Sequence, residues 1–271
     1  MDYLARGSAP FTPEVWADID AAVIDTAKRH MVCRRFLSLY GPLGAGVSTV
    51  NVDSAAKAEE VLEGGFSRIS GRRVVSLPQL QEDFTLLWRD IEEAGKNGLP
   101  LDLSAAMAAA QRAAKREDDL VLFGNKALGT EGLLNAAGAF KIKRGDWKQG
   151  EDAYRDVAHG IAHLSGSNLL GRYALVLSPD VYLDLQRLVP DVGLIELDRI
   201  SKLVNGRVYA TGAFGANKAV LVCAEPQYMD LAVGADLGVG YLELKDLNHS
   251  FRILETVALR IKEPNAIVTF E

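Results

Sequence analysis

Two histidines are the first candidates for chemistry in this chain, since His159 and His163 are four residues apart on a predicted helix. That spacing puts both imidazoles on one face of the helix, as in a metal-binding pair. The three residues between them, GIA, lack the glutamate that acts as general base in the HExxH motif, and no third ligand is evident. We therefore interpret them as a solvated or partly packed pair and expect no metal site.

Two further segments carry residue types used in phosphate binding or catalysis, but neither completes a motif. Residues 122–132 (LFGNKALGTEG) place glycines around Lys126 without the order GxxxxGK(S/T), and they follow a predicted helix instead of a strand. We interpret them as a loop that ends the helix. Ser165-Gly166-Ser167 is not the nucleophile elbow GxSxG. The sequence thus predicts that the chain is not an enzyme.

The acidic run Glu117-Asp118-Asp119 resembles a pair of catalytic carboxylates at first sight. Adjacent residues on a helix point apart, so solvated charge or a salt bridge between subunits is the favoured interpretation. These acids lie toward the C-terminal end of a predicted helix, where the helix dipole disfavours negative charge. We therefore expect a basic group nearby.

The composition is that of an ordinary globular protein, with 48% of the 271 residues hydrophobic and 24% charged. The length fits one large domain or two closely packed ones. A net charge of −6 argues against strong non-specific binding of nucleic acid. Cys33 and Cys223 form no CxxC pair and are interpreted as buried thiols. The chain has no long uncharged apolar run and no hydrophobic signal core, so we expect a cytoplasmic location without a membrane partner.

Near the N-terminus the sequence predicts an amphipathic helix. Thr12 supplies a capping hydroxyl, Pro13 fits the first turn, and Glu14 is an early acid. One apolar stripe follows at helical spacing: Trp16, Ile19, Val23, Ala27 and Met31. Gly41-Pro42 prevents the helix from continuing.

A second, alanine-rich helix is predicted over 104–123, slim enough to lie across a sheet as a spine. Other helices are predicted at 151–164, from Ser178 onward and at 194–204, while 84–91 is helical or strand-like. Short strands are predicted at Tyr173–Leu177, Arg207–Tyr209, Ala219–Cys223, Met229–Val233, Val239–Leu242, Phe251–Ile261 and Ala266–Phe270. Because the strand-rich parts come from distant stretches, we predict an α+β fold with interleaved subdomains.

Residues 43–76 differ from both flanks, since they are rich in glycine and contain strand-like segments at Val47–Val52 and Arg73–Ser76. The sequence predicts either a long two-stranded arm or a short helix, Ala55–Leu62, between strands. The segment has too few apolar residues to build a core of its own. We expect a neighbouring subunit to complete it.

Several blocks of the sequence, in this order and over essentially the whole chain, resemble encapsulin shell proteins (the linocin-type bacteriocin family). The blocks are RRFLSLYGPLGAG (34–46), FTLLWRDIE (84–92), LDLSAA (101–106), EDDLVLFGN (117–125), GTEGLL (129–134), YALVLSPDVY (173–182), MDLAVGADLGVGY (229–241) and FRILETVALRIKEPNAIVTFE (251–271). The resemblance implies the tailed-phage major capsid protein fold, with a peripheral domain, an axial domain and an extended loop. It implies these boundaries: 1–42, the N-terminal helix and start of the peripheral domain; 43–76, the extended loop; 77–134, the peripheral domain with the spine helix; 135–225, the axial domain; and 226–271, the C-terminal strands of the peripheral domain.

The resemblance also implies a function. The chain would be the shell subunit of a nanocompartment, an icosahedral cage of about sixty copies or a multiple. The cage would enclose a ferritin-like iron oxidase or a dye-decolourising peroxidase, bound through a short targeting peptide, and would serve iron storage or the response to oxidative stress. Its pores would admit small substrates or ions. The alternative is a prophage-derived major capsid protein that packages nucleic acid, which the acidic balance disfavours.

Within this family a cargo-docking groove would lie between the N-terminal helix and the strand near residue 238. It would comprise Ile24, Ala27, Met31, Arg34, Ser38, Asp236, Leu237 and Val239. The alternative is that the helix simply buries its stripe against its own sheet.

The family likeness suggests two further sites. A five-fold pore would be lined by Val189, Pro190, Asp191, Val192 and Gly193, where a ring of Asp191 copies would attract cations. No cofactor is required, but Trp88 could stack on a flavin at the outer surface while Arg89 meets its phosphate. The alternative for Trp88 is a core or interface tryptophan.

Overall fold

Two five-stranded sheets and the helices that cover them make up most of the fold. The structure is a computed structural model that describes residues 3–52, 59–71, 73–189 and 193–271. The helices in these residues are α1 Pro13–His30, α2 Trp88–Asn97, α3 Ser104–Phe123, α4 Asp152–Gly166, α5 Pro179–Asp184 and α6 Glu196–Leu203. The strands are β1 Leu39–Tyr40, β2 Thr49–Asn51, β3 Glu59–Glu63, β4 Phe66–Ser70, β5 Val74–Ser76, β6 Gln79–Leu86, β7 Gly124–Asn125, β8 Thr130–Glu131, β9 Phe140–Ile142, β10 Tyr173–Leu177, β11 Val208–Ala210, β12 Ala219–Cys223, β13 Met229–Val233, β14 Gly238–Lys245, β15 Asn248–Ile261 and β16 Ile267–Phe270.

The first sheet is built around the long strand β15, which pairs antiparallel with β6, β13 and β14. Burial alternates along most of β15, as expected where one face of a strand meets a core. Helices α1 and α3 pack together and against this sheet. The rings of Phe84 and Phe251 stack there with centroids 5.0 Å apart, and five alanines of α3 are fully buried: Ala106, Ala109, Ala110, Ala113 and Ala114. The slim, alanine-rich spine predicted from the sequence is confirmed.

The second sheet has the order β11-β10-β12-β16-β9 and is covered by α4. Strands β10, β12 and β16 are almost entirely buried, which fits their continuous apolar sequences. This sheet also takes in residues from the C-terminal end of the chain. Residues 267–270 pair with Ala219–Cys223 and Phe140–Ile142, both of which lie in the range predicted for the axial domain. The predicted domain boundaries stay a prediction.

The arm consists of two antiparallel strand pairs, β2 with β5 at its base and β3 with β4 farther out. Of the helix that the sequence offered as an alternative, residues 55–58 lie outside the described residues. Residues 59–62 are strand, so the helix is wrong there and the two-stranded arm is confirmed. Near its tip the arm leaves Leu62 and Phe66 exposed to 78% and 80%. Exposed apolar side chains of this kind are typical of a surface that packs against a partner, and pairing of the arm with a neighbouring subunit stays a prediction.

One glycine at the junction between the N-terminal region and the arm should tolerate no side chain. Gly41 has φ +135°, and a Cβ there would lie 2.2 Å from the carbonyl oxygen of Val233. We expect Gly41→Ala to destabilise the subunit by more than about 1 kcal/mol, because both the backbone conformation and the contact must change. Gly46→Ala is the control, since nothing lies within 4 Å of its added Cβ. Equal thermal unfolding midpoints for the two variants would contradict this account.

Candidate functional site

The end of α1 is the point where the predicted docking residues meet. The helix begins as predicted, with the Thr12 hydroxyl accepting the Val15 N–H at 3.5 Å. Its apolar stripe is buried against α3 and the first sheet. The helix therefore does bury its stripe in the chain's own core, as the alternative interpretation holds, and any docking surface must use side chains beside that stripe.

The predicted docking residues divide into buried and accessible sets. Ala27, Met31 and Val239 are 2%, 3% and 0% exposed. Their predicted direct contact with a peptide is wrong, because their side chains belong to the hydrophobic core and offer it no surface. The accessible set comprises half-buried Ile24 and Leu237 and exposed Asp236.

Arg34 and Ser38 are held by contacts within the chain. The Ser38 hydroxyl accepts a hydrogen bond from Arg172 at 2.8 Å. Arg34 reaches Asp236 at 2.9 Å and Glu117 at 2.8 Å, and it also pairs with Glu255. With only 17% of its side chain exposed, Arg34 is an internal anchor and not the peptide contact predicted from the sequence. It holds the exposed Asp236 in place through their ion pair.

The electrostatics of Arg34 fix it in the charged state. Burial alone would lower its pKa, but the hydrogen bond to Glu117 and the charges of Glu255 and Glu117 raise the pKa above its ordinary value. Glu117 and Glu255 are both fully buried. Arg34 is the basic group that the acidic end of the spine helix led us to expect.

The acidic run 117–119 is thus largely structural, and its predicted solvation is wrong for two of its three residues. Glu117 binds Arg34, while Asp118 accepts the backbone N–H groups of Val32 and Cys33 at 3.0 and 2.9 Å. Burial raises the pKa of the Asp118 carboxyl, although these hydrogen bonds oppose the rise. Asp119 alone lies near the surface, paired with Lys115 at 2.8 Å.

Sequence reasoning did not identify Glu255. A signal was present, since Phe251, Ile253, Glu255 and Val257 occupy successive inward positions of one strand. A glutamate in an inward series of apolar residues indicates a buried ion pair.

The two histidines differ in their surroundings, since His159 is exposed and His163 is packed. The His163 ring stacks on Phe140 with centroids 3.6 Å apart, and its Nε2 lies 2.9 Å from the Asn265 side-chain oxygen. Within the described residues, no group of three or more His, Cys, Asp or Glu side chains could hold a metal ion.

Comparison with known proteins decides which capsid-like family this is. A family model described as "Encapsulating protein for peroxidase" matches residues 1–258. A type 1 encapsulin shell protein of Myxococcus xanthus is 38% identical over 277 residues, covering 100% of this chain and 96% of the relative. The chain belongs to the encapsulin shell protein family.

Two solved structures show the same fold. The virus-like particle of Pyrococcus furiosus aligns with a TM-score of 0.73 at 23% identity, covering 95% of this chain and 100% of that one. The capsid of Myoviridae phage XM1 aligns with a TM-score of 0.63 at 17% identity, covering 89% of this chain and 90% of that one. At such identities the likeness is one of fold alone. The predicted α+β fold of tailed-phage major capsid proteins is confirmed.

Membership of the encapsulin family settles the broad function. The chain is a structural shell subunit and not an enzyme, and it assembles into a capsid-like multimer that encloses separate cargo. None of the described helices combines the length and apolarity that crossing a lipid bilayer requires.

The predicted encapsulin pore lies mostly beyond what the structure covers. Pro190, Asp191 and Val192 are outside the described residues. On either side of them, the Val189 N–H donates to the Leu194 carbonyl at 2.9 Å, and Gly193 has φ +68°. Val189 is 4% exposed and so lies in the core of its subunit, which corrects its assignment as a pore-lining side chain. The pore itself stays a prediction.

Trp88 and Arg89, the residues of the predicted flavin contact, lie next to each other at the surface. Trp88 begins α2 and is 38% exposed. The Arg89 guanidinium carbon lies 5.6 Å from the centre of the indole ring, in a cation–π contact. Arg89 therefore covers one face of the exposed indole ring. Flavin binding stays a prediction on which nothing below depends.

Proposed function

We propose that this encapsulin forms a closed icosahedral shell of about sixty copies or a multiple. The shell takes up a cargo enzyme of the ferritin-like or dye-decolourising peroxidase type in the cytoplasm, through a short targeting peptide. Small ions or substrates reach the cargo through pores. Membership of a family described as encapsulating protein for peroxidase is the observation that carries this proposal.

The docking surface that we propose for the peptide consists of Ile24, Asp236 and Leu237. Ile24 and Leu237 are half-buried apolar side chains that can seat aliphatic anchors. Asp236 is held on one side, since its Oδ1 accepts hydrogen bonds from Arg34 and the Leu237 N–H, both at 2.9 Å. Its other oxygen is available to fix the polarity of a bound segment.

The neighbouring strand edge restricts how a peptide can bind. The Tyr241 N–H donates to the Leu4 carbonyl at 2.8 Å, and Arg6 donates to the Val239 carbonyl at 2.9 Å. The chain's own N-terminal segment therefore occupies this edge of β14. We infer that the targeting peptide binds by side-chain anchors across Ile24 and Leu237 and does not add to β14 as a further strand.

Replacing Leu237 with aspartate tests this surface. We expect Leu237→Asp to form shells but to lose cargo loading by at least about tenfold, because losing one apolar anchor costs about 1.5–3 kcal/mol. Leu242→Asp is the control, since Leu242 lies in β14, the strand that directly follows Leu237, and is 42% exposed. The measurement is the cargo-to-shell ratio of co-purified particles. Normal loading of intact Leu237→Asp shells would contradict the docking surface without affecting the shell assignment.

A further inference from the structure

A buried carboxyl pair lies where α3, β15 and the segment after α1 meet. The Glu117 and Glu255 side chains are 0% exposed and contact each other, and both contact Arg34. Arg34 donates to both oxygens of Glu117, at 3.0 and 2.9 Å from its Nε. On Glu255 it reaches Oε1 alone, and Oε2 is buried with no hydrogen-bond partner among the described residues.

The groups around this pair carry too little positive charge for two buried carboxylates. From the segment after α1 come Arg34 and Cys33, and from the turn before β14 comes Asp236. From α3, Asp118 and Asp119 are engaged with backbone N–H groups and with Lys115. The acid on β6, Glu82, is held by Arg112 and Arg116. Among these groups Arg34 is the one cation that reaches the pair, and it already shares its charge with Asp236.

The unpartnered oxygen indicates how the imbalance is resolved. An ionised Glu255 would bury a charged oxygen without a donor, which is among the most costly arrangements in a protein interior. A protonated Glu255 has an O–H that can donate to the adjacent Glu117 carboxylate, leaving Arg34 opposite a single negative charge. Burial and the charge of Glu117 both raise the pKa of Glu255, and Arg34 opposes them incompletely.

We propose that Glu255 is a neutral carboxylic acid in the folded subunit, hydrogen-bonded to Glu117, and that losing its proton at alkaline pH loosens the junction of α1, α3 and β15. The proposal goes beyond the shell function, since it assigns the subunit a built-in alkaline trigger. The direction of the pH effect on stability follows from the linkage between proton binding and folding. Above the ordinary pKa of a glutamate the unfolded chain has lost this proton while the folded chain retains it, so the stability contributed by Glu255 falls as pH rises. The fall continues until the folded protein also releases the proton.

Infrared spectroscopy of intact shells tests the protonation directly. Wild-type shells at neutral pH should show a protonated-carboxyl band that is absent from Glu255→Gln shells and lost when wild-type shells are titrated to alkaline pH. Asp83→Asn is the control, because Asp83 is an exposed carboxylate paired with Arg252. The proposal is overturned if the Glu255→Gln difference spectrum lacks the band. If that variant does not assemble, an alkaline titration of wild-type shells that removes no such band overturns it equally.

Thermal unfolding measured as a function of pH tests whether loss of the Glu255 proton loosens the subunit. Glu255→Gln should unfold at a higher temperature than wild type, with a gap that widens as pH rises, because one retained proton changes the unfolding equilibrium by up to about tenfold per pH unit. Asp83→Asn should show no such widening. A gap between Glu255→Gln and wild type that is independent of pH from 6 to 10 would overturn the trigger.

Discussion

Shells should fail to form when Leu62 and Phe66 are both replaced by aspartate. Both side chains are more than three-quarters exposed in the single subunit, so we expect the variant to fold. Burying such a side chain against a neighbouring subunit stabilises the assembly by about 1.5–3 kcal/mol. An aspartate at the same position loses this stabilisation and places a charge in the buried contact. In a closed symmetric shell the loss recurs at every equivalent contact. Size-exclusion chromatography and electron microscopy should find dispersed subunits with a native circular dichroism spectrum.

The matched control keeps the apolar surface of the arm. Leu62→Met with Phe66→Tyr changes the same two positions but retains most of the buried area, so this variant should assemble. Intact shells from the double aspartate would show that the tip of the arm is not an assembly contact.

Arg34→Met should destabilise the subunit by about 3–5 kcal/mol, the usual effect of breaking a buried ion pair by removing one partner. Glu117 and Glu255 would then remain buried without the cation that contacts both. Burial already raises the pKa of Glu255, and removing the cation should raise it further, so the loss of stability should be smallest at acidic pH and should grow as pH rises. Chemical unfolding of the variant and the parent across that pH range measures the effect.

Arg252→Met is the control for Arg34→Met. Arg252 binds Asp83 through two hydrogen bonds of 2.7 and 2.8 Å, but this pair is exposed, so its loss should cost no more than about 1 kcal/mol. Adding Glu117→Gln to Arg34→Met should restore part of the lost stability. If Arg34→Met and Arg252→Met lost equal amounts of folding stability, the buried cluster around Arg34 would not be a major source of the subunit's stability.

Features encoded by local sequence could be predicted well. The spine helix over 104–123 follows from a run of alanines with a glycine after it, and its observed bounds are Ser104–Phe123. The strands at Tyr173–Leu177 and Ala219–Cys223 follow from short apolar runs that are buried on both faces. The ambiguous segment 84–91 divides into strand β6 and helix α2, because Leu87 separates an alternating run from a polar helical one.

Features that depend on distant pairings could not be predicted from the sequence. Strand β16 follows β15 in the chain yet joins the other sheet, since its partners β9 and β12 lie far away in sequence. The Arg34 cluster likewise gathers residues 83 and 221 positions apart. Helical spacing correctly placed Ala27 on the apolar face of α1 and Met31 in line with it just after the helix, but it could not tell whether that face met the chain's own sheet or a peptide.

The most direct test of the whole account is electron microscopy of the purified protein combined with native mass determination. The account predicts uniform, closed icosahedral particles of about sixty subunits or a multiple, free of nucleic acid and able to enclose a co-expressed cargo enzyme. Monomers or small open oligomers under the same conditions would contradict the shell function. Particles filled with nucleic acid would instead support the capsid alternative.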